Sequence, residues 1–182
     1  HLGNARMAVV TDLLVKVLKQ KYKKVTFISN ITDIDDKIIE ASKQKNETIS
    51  ELTNKYHLIY NQDMESLGVS LPTFQPKATD YIADMIDLIK VLVDNKCAYE
   101  SDGNILFDTN SYKYYGVLSK RVMNDQKTGT RIKKADYKRN VNDFILWKPS
   151  SKNEPGWNSP WGLGRPGSVS YTHLTLPTTQ VV

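Results

Sequence analysis

Three aspartates lie within four positions of the segment Asn30-Ile-Thr-Asp-Ile-Asp-Asp-Lys-Ile38. Such a carboxylate cluster can bind a metal ion, act as a general base, cap a helix or clamp a substrate. A calcium loop is not indicated, because the D-x-[DN]-x-[DN]-G spacing is absent after Asp33 and Asp35. The structural alternative is that Asp33, Asp35 and Asp36 cap and charge the start of a helix, where the helix dipole favours carboxylates.

The opening residues His1-Leu-Gly-Asn4 place an imidazole and a carboxamide three positions apart around a glycine. Backbone N–H groups and the dipole at the start of a helix attract phosphate, and glycine lets a flat base come close. The His1 and Asn4 side chains can donate hydrogen bonds to phosphoryl oxygens. The pattern favours nucleotide binding, with an ordinary surface helix start as the alternative.

The elements that position these groups follow from the apolar pattern. A helix is predicted from about Ala5 to about Lys21, because apolar residues recur there at helical spacing. The β-branched and aromatic run Lys23–Ile28 predicts a strand, and helical spacing resumes at Ile34. In open α/β sheets, ligands bind outside the carboxyl ends of the strands. We therefore expect Thr32 on the same edge as a phosphate site at His1.

Local capping chemistry marks two further helices. Thr48-Ile-Ser-Glu51 has the form of a capping box. Further along, Thr79 is expected to cap an amphipathic helix whose first turn carries Asp80 and Asp84.

Beyond this helix the pattern changes in character. Asp102-Gly103 between two short apolar runs predicts a hairpin, so helix plus hairpin suggests an inserted α+β module. The segment 154–167 is rich in Gly, Pro and Trp and predicts an irregular loop lining a site. Segment 168–182 has no charged residue, and we expect it to be a tail that is foreign to the rest of the chain.

Composition bounds the remaining possibilities. The 182 residues predict one or two compact units, and a formal charge of +5 suits a polyanionic partner without requiring one. The single cysteine, Cys97, excludes an internal disulfide and favours a reducing compartment. No window approaches the roughly 18 apolar residues of a membrane span. We expect a soluble cytoplasmic protein without a membrane partner and, since the sequence starts at His1, a fragment.

Six motifs together resemble cysteinyl-tRNA synthetases, which are class I aminoacyl-tRNA synthetases, over about residues 1–167. They occur in the same order as in that family: His1-Leu-Gly-Asn-Ala-Arg6, Asn30-Ile-Thr-Asp-Ile-Asp-Asp-Lys-Ile38, Lys77-Ala-Thr-Asp80, Tyr115-Gly-Val-Leu-Ser119, Asp143-Phe-Ile-Leu-Trp-Lys148 and Ser159-Pro-Trp-Gly-Leu-Gly-Arg-Pro-Gly167.

The resemblance implies an α/β fold, namely the Rossmann-like catalytic domain of class I synthetases with its first strand missing. Residues 1–76 would form the first part of that nucleotide-binding domain, and residues 77–149 an α+β connective insertion. Residues 150–167 would return to the catalytic domain, and residues 168–182 would be a foreign tail.

The resemblance also assigns roles to single residues. The opening tetrapeptide matches the family's HIGH signature, so His1, Gly3 and Asn4 would bind ATP, supplied with Mg²⁺. His1 and Asn4 would stabilise the charge that develops as the cysteine carboxylate attacks the α-phosphorus. Thr32 matches a position that contacts the amino acid. The parent enzyme would form cysteinyl-adenylate and transfer cysteine to the 3′ end of tRNA(Cys), while most of the aspartates shape the turn.

Departures from the family bear on the metal and on activity. In the family, Zn²⁺ binds the substrate sulfur, but its cysteine ligands and the KMSKS loop of the ATP site are absent from this sequence. Cys97, His57 and His173 are not expected to be zinc ligands. We therefore expect no metal site in these residues, and no activity from the fragment alone.

Other interpretations remain open at this point. Basic residues such as Lys120, Arg131 and Lys138 would either steer tRNA phosphates or form a solvated face. The enzymatic alternative is the cysteine ligase of mycothiol biosynthesis, against which Asp36-Lys-Ile-Ile39 and Ser159-Pro-Trp-Gly162 speak. A third is a non-catalytic nucleotide- or tRNA-binding module.

Overall fold

The computed structural model describes residues 2–117 and 135–167, without the side chains of Leu2 and Asn4. The chain divides into two compact units between Asp80 and Tyr81. His1, the basic residues between 118 and 134, and the segment 168–182 lie outside the described residues. Within the described ranges, no helix combines the length and apolar character needed to cross a membrane.

The first unit contains three α-helices: α1 Leu2–Lys21, α2 Asp36–Lys45 and α3 Ile49–Ser66. The helix predicted from about Ala5 to about Lys21 is confirmed. The capping box is also confirmed, because Thr48 Oγ1 accepts from the Glu51 N–H at 3.2 Å and Glu51 Oε2 accepts from the Thr48 N–H at 2.9 Å. Both bonds satisfy N–H groups that the first helical turn leaves without partners.

The packed face of α1 is not the one that the apolar pattern suggests. Ala5 packs with Met64 and Val69, and Val15 is also buried. Asp12, on the same helix, is buried as well; it pairs with Lys16 at 2.6 Å and accepts from the Ser70 N–H at 3.2 Å. Of the five residues that produced the helical pattern, Leu18 is partly exposed and four are more than half exposed: Val10, Leu13, Leu14 and Val17. The periodicity therefore identifies the helix but not its packed face.

The strand predicted at Lys23–Ile28 is only partly formed, and the pairing lies further along the chain. Residues 27–31 run parallel to residues 73–78 through isolated bridges, with Ser29 N–H donating to Phe74 O at 3.1 Å and Ile31 N–H donating to Pro76 O at 2.8 Å. Pro76 in the partner segment, and Pro72 directly before it, have no N–H to donate to the ladder. A regular strand is therefore replaced by short parallel contacts.

In its described residues, the second unit contains α4, one antiparallel sheet and a short 3-10 helix, Thr109–Ser111. Its elements are α4 Ile82–Asp94, β1 Ala98–Ser101, β2 Asn104–Phe107, β3 Phe144–Pro149, β4 Trp157–Ser159 and β5 Gly162–Pro166. The strand order is β1-β2-β3-β5-β4. The predicted hairpin is confirmed, since Ser101 pairs with Asn104 and both turn residues, Asp102 at φ 48° and Gly103 at φ 71°, have left-handed backbones.

Two expectations for this unit are wrong. Thr79 does not cap α4: the residue before the helix is Tyr81, whose side chain makes no capping bond. The segment 154–167 is not an irregular loop but contains the β4–β5 hairpin, in which Ser159 Oγ donates to Gly162 O at 2.7 Å. The sheet also crosses the boundary expected near Pro149, and the domain scheme remains a prediction.

A buried carboxylate, Asp143, anchors the sheet from inside. Its side chain accepts from the Tyr99 hydroxyl at 2.7 Å, from the Thr109 N–H and hydroxyl at 3.0 Å each, and from the Asn140 N–H at 2.9 Å. Desolvation alone would raise the pKa of Asp143, but these hydrogen bonds outweigh it and hold the pKa below its ordinary value. The folded state therefore favours the ionised carboxylate.

Replacing Asp143 by Asn should destabilise the protein and alter its acid sensitivity. The amide turns one acceptor into a donor that faces other donors, which costs about 2 kcal/mol. Because folding lowers this pKa, its contribution is complete above the ordinary value of about 3.9 and is lost as pH falls through the folded pKa. Urea unfolding between pH 7 and pH 3 should show a shallower acid loss in Asp143→Asn than in wild type. The exposed control Asp102→Asn should follow wild type, and equal slopes for Asp143→Asn and wild type would contradict the assignment.

Gly164 of β5 lies against the side chain of Trp147 on the paired strand β3. Trp147 is 1% exposed. A Cβ at this position would overlap Trp147 Nε1 and lie 2.6 Å from the carbonyl oxygen of Lys148. Gly164→Ala should therefore lower the free energy of unfolding by about 1–3 kcal/mol through overpacking. Leu163→Ala, a change at an exposed neighbour, should have a smaller effect in the same thermal melts. If the Gly164→Ala protein has the same melting temperature as wild type, strands β3 and β5 can move apart at this point without loss of stability.

Candidate functional site

Thr32 follows directly after the parallel segment 27–31 and is exposed. It lines a cavity of about 340 Å³ between α2 and α3, here named the α2–α3 cavity. The residues that line this cavity include Thr32, Lys37, Ile38, Tyr56, His57 and Tyr60. The segment end thus places the predicted amino-acid contact in the lining of a pocket.

The aspartates beside Thr32 hold the turn in place. Asp33 is 5% exposed and accepts from the Thr79 N–H at 3.0 Å and from the Thr79 hydroxyl at 2.5 Å. Asp35 is the N-cap of α2 and accepts from the N–H groups of Lys37 at 2.7 Å and Ile38 at 3.1 Å. Asp36 lies in the first turn of the same helix. The predicted capping role is confirmed for Asp35. Asp33 does not cap the helix but holds the turn through Thr79, which bonds this carboxylate instead of capping α4.

A second cavity, of about 270 Å³, lies between α1 and the parallel segment and is here named the α1 cavity. Met7, Ala8 and Thr11 of α1 line one wall of it. Ile31 and Tyr60 line both cavities, so the two share a wall. The α1 helix and the Thr32 turn therefore border neighbouring cavities within the first unit.

The opening tetrapeptide is described only in part. His1 lies outside the described residues, and the side chain of Asn4 is also outside them. Gly3 is exposed in the first turn of α1, a helix of 20 residues. The positive end of this helix dipole is therefore accessible at Gly3, as a phosphate site requires. The assignments of His1 and Asn4 stay predictions.

A polar network fixes α3 against the segment that pairs with residues 27–31. Asn61 and Gln75 exchange two hydrogen bonds of 3.1 Å, and His57 Nε2 lies 3.0 Å from Asn61 Nδ2 and 3.2 Å from Gln75 Oε1. A further bond of 2.7 Å runs from Lys77 Nζ to Asn54 Oδ1. These contacts set the position of the α3 wall relative to the Thr32 turn.

Sequence reasoning missed the aromatic wall of the α2–α3 cavity. Tyr56 and Tyr60 are one helical turn apart on α3, with His57 beside them, and both tyrosines are more than 40% exposed. Lys45 Nζ donates to the Tyr56 hydroxyl at 2.7 Å, and this bond lowers the pKa of the Tyr56 phenol. Exposed tyrosines at i and i+4 with a nearby lysine were the available signal.

The described residues do not supply a metal centre. Among residues 2–117 and 135–167, no group of three or more His, Cys, Asp or Glu side chains could hold a metal ion. Cys97 lies in the second unit next to the start of β1, and its Sγ donates to Asn95 O at 3.6 Å. The zinc site implied by the resemblance therefore does not fit these residues.

Comparisons with known proteins give a consistent result. Residues 1–171 match a family model described as the class I (C) tRNA synthetase catalytic domain. The cysteine–tRNA ligase of Maricaulis maris is 51% identical over 169 residues, covering 92% of this chain and 37% of the relative. That of Saccharophagus degradans is 52% identical over 167 residues, covering 92% and 36%.

A more divergent relative extends the match. The cysteine–tRNA ligase of Methylocella silvestris is 43% identical over 182 residues, covering 96% of this chain and 40% of the relative. The chain thus spans between 36% and 40% of the length of these curated relatives. Because the family model matches nearly the whole of it, the chain belongs to the class I (C) tRNA synthetase catalytic domain family.

Proposed function

We propose that this chain is part of the catalytic domain of an ATP-dependent cysteine–tRNA ligase. The observation that carries the proposal is the match to cysteine–tRNA ligases at about half identity over 92% of the chain. The position of Thr32 in the lining of a cavity that shares a wall with the α1 cavity supports it. A full-length protein would activate cysteine and transfer it to tRNA(Cys).

The proposed fold is the Rossmann-like domain of class I synthetases with a connective module inserted. The parallel contacts between residues 27–31 and 73–78, flanked by helices, support the Rossmann-like assignment of the first unit. The antiparallel sheet of residues 98–166 supports a separate α+β module. Segment 168–182 remains a proposed foreign tail.

In the proposed mechanism, the start of α1 binds the triphosphate of ATP. Backbone N–H groups near Gly3 face the phosphates, and His1 and Asn4 donate to the oxygens that gain charge as the cysteine carboxylate attacks the α-phosphorus. Pyrophosphate leaves with the electrons of the broken P–O bond. Catalysis is then electrostatic, and no nucleophilic side chain is required. Bound Mg²⁺ would supply further charge neutralisation on the phosphates.

Thr32 acts on the amino acid in this proposal. Thr32 is exposed and directly precedes Asp33, which two hydrogen bonds from Thr79 hold in place, so the position of Thr32 is preorganised. Discrimination of cysteine from serine by Zn²⁺ would need ligands that the described residues do not supply, so no step is assigned to zinc here.

Cysteine-dependent pyrophosphate exchange tests the proposed activity in a full-length protein that carries this chain. Exchange should occur with cysteine and not with serine. His1→Ala should lower kcat about 100-fold or more, because it removes a donor to the developing charge. Gln20→Ala, at the far end of the same helix, is the matched control and should behave as wild type. Exchange that ignores the amino acid, or that survives His1→Ala unaltered, would refute the assignment.

A pair of substitutions tests whether the Thr32 hydroxyl contacts cysteine. Thr32→Val removes the hydroxyl at nearly constant shape and should raise KM for cysteine about tenfold, the worth of one hydrogen bond. Thr32→Ser should restore most of the affinity. Thr26→Val, directly before the parallel segment 27–31 and outside both cavities, should leave KM unchanged. If Thr32→Val binds cysteine as wild type does, Thr32 does not contact the amino acid.

A further inference from the structure

We propose that the α2–α3 cavity binds the terminal nucleotide of the acceptor RNA, with the base stacked on Tyr56 or Tyr60 and the backbone phosphate beside Lys37 and Lys45. This inference rests on the proposed function and deepens it, because it names the residues that would receive the nucleic acid. The cavity, its aromatic wall, its charge and its place beside Thr32 each support the assignment.

The size and walls of the cavity suit a planar heterocycle. Its volume of about 340 Å³ lies at the lower end of the range of small-molecule pockets. Ile38, Ala41 and Leu52 provide an apolar wall, and Tyr56 and Tyr60 provide exposed rings. Unpaired bases bind proteins by stacking on such rings, with little dependence on base identity.

The charge of the cavity favours an anion over a cation. Lys37 lines it, and Lys45 Nζ lies 5.0 Å from the centroid of the Tyr56 ring. In the described part of the chain, no carboxylate lines the cavity. The ammonium group of a free amino acid would find no carboxylate in the cavity lining, whereas a phosphate would find Lys37 there and Lys45 on the Tyr56 hydroxyl beside it. The cavity is thus better suited to a nucleotide than to cysteine itself.

The position of the cavity agrees with the reaction. Transfer joins the activated carboxyl carbon to a hydroxyl of the terminal ribose, and AMP leaves with the electrons of the cleaved bond. The terminal nucleotide must therefore lie next to the amino acid. Thr32, the proposed amino-acid contact, lines this cavity. The network of His57, Asn61 and Gln75 fixes the α3 wall on which the base would stack.

Separate measurement of the two half-reactions in the full-length protein tests the inference. Tyr56→Leu and Tyr60→Leu keep an apolar side chain but remove the ring, so the rate of transfer to tRNA relative to cysteine activation should fall about tenfold or more. Tyr56→Phe keeps the ring and should retain most of the transfer rate. Tyr22→Leu changes a tyrosine that is 58% exposed and outside the cavity, and should leave both rates unchanged. Circular dichroism melts establish that each variant folds.

The outcomes are distinguishable. An unchanged ratio of transfer to activation in both leucine variants would overturn the inference. A parallel loss of activation and transfer would also overturn it, because the cavity would then serve the adenylation step. If the wild-type protein does not activate cysteine, the proposed function fails, and the cavity is tested alone. Anisotropy of a labelled ACCA tetranucleotide with the 182-residue chain should then show about tenfold weaker binding for Tyr56→Leu than for Tyr22→Leu, and equal binding would overturn the inference.

Discussion

The hydrogen bonds between Asp33 and Thr79 are the constraint on which the first unit depends. Residues 27–31 and 73–78 meet through only a few parallel contacts, and such short pairing gives little stability by itself. The buried carboxylate of Asp33 joins the ends of the two segments through the N–H and hydroxyl of Thr79. Because Thr32 precedes Asp33 directly, the same bonds that close the pairing also position the candidate site.

Both units use a buried aspartate in this way. Asp143 collects four hydrogen bonds from the sheet and its flanking turns, as Asp33 collects two from a single threonine. A buried carboxylate is costly unless donors surround it, and here the donors come from segments far apart in sequence. Each carboxylate therefore fixes a local path of the chain where hydrophobic packing alone would leave several.

Helix caps and turns could be predicted from the sequence, whereas contacts between residues far apart in the chain could not. The capping box at Thr48 and the turn at Asp102 involve residues within four positions of each other, so the pattern contains the whole interaction. Thr79 fails as a cap because the chain first forms a 3-10 turn, Ala78–Tyr81, so that α4 begins only at Ile82. The N–H and hydroxyl of Thr79 instead donate to Asp33, 46 positions away. The site shows the same division: the motif located Thr32, but the wall of Tyr56 and Tyr60 depends on how α3 packs.

The direction in which the aspartates point explains the character of the candidate site. In the segment Asn30–Ile38, acidic residues outnumber lysines, which suggests a negatively charged site. Asp33 instead faces Thr79, and Asp35 faces the N–H groups at the start of α2, so neither lines the cavity beside Thr32. Lys37, from the same segment, does line it. The acids thus stabilise the turn while the cavity is left aromatic and cationic, as a site for a polyanion must be.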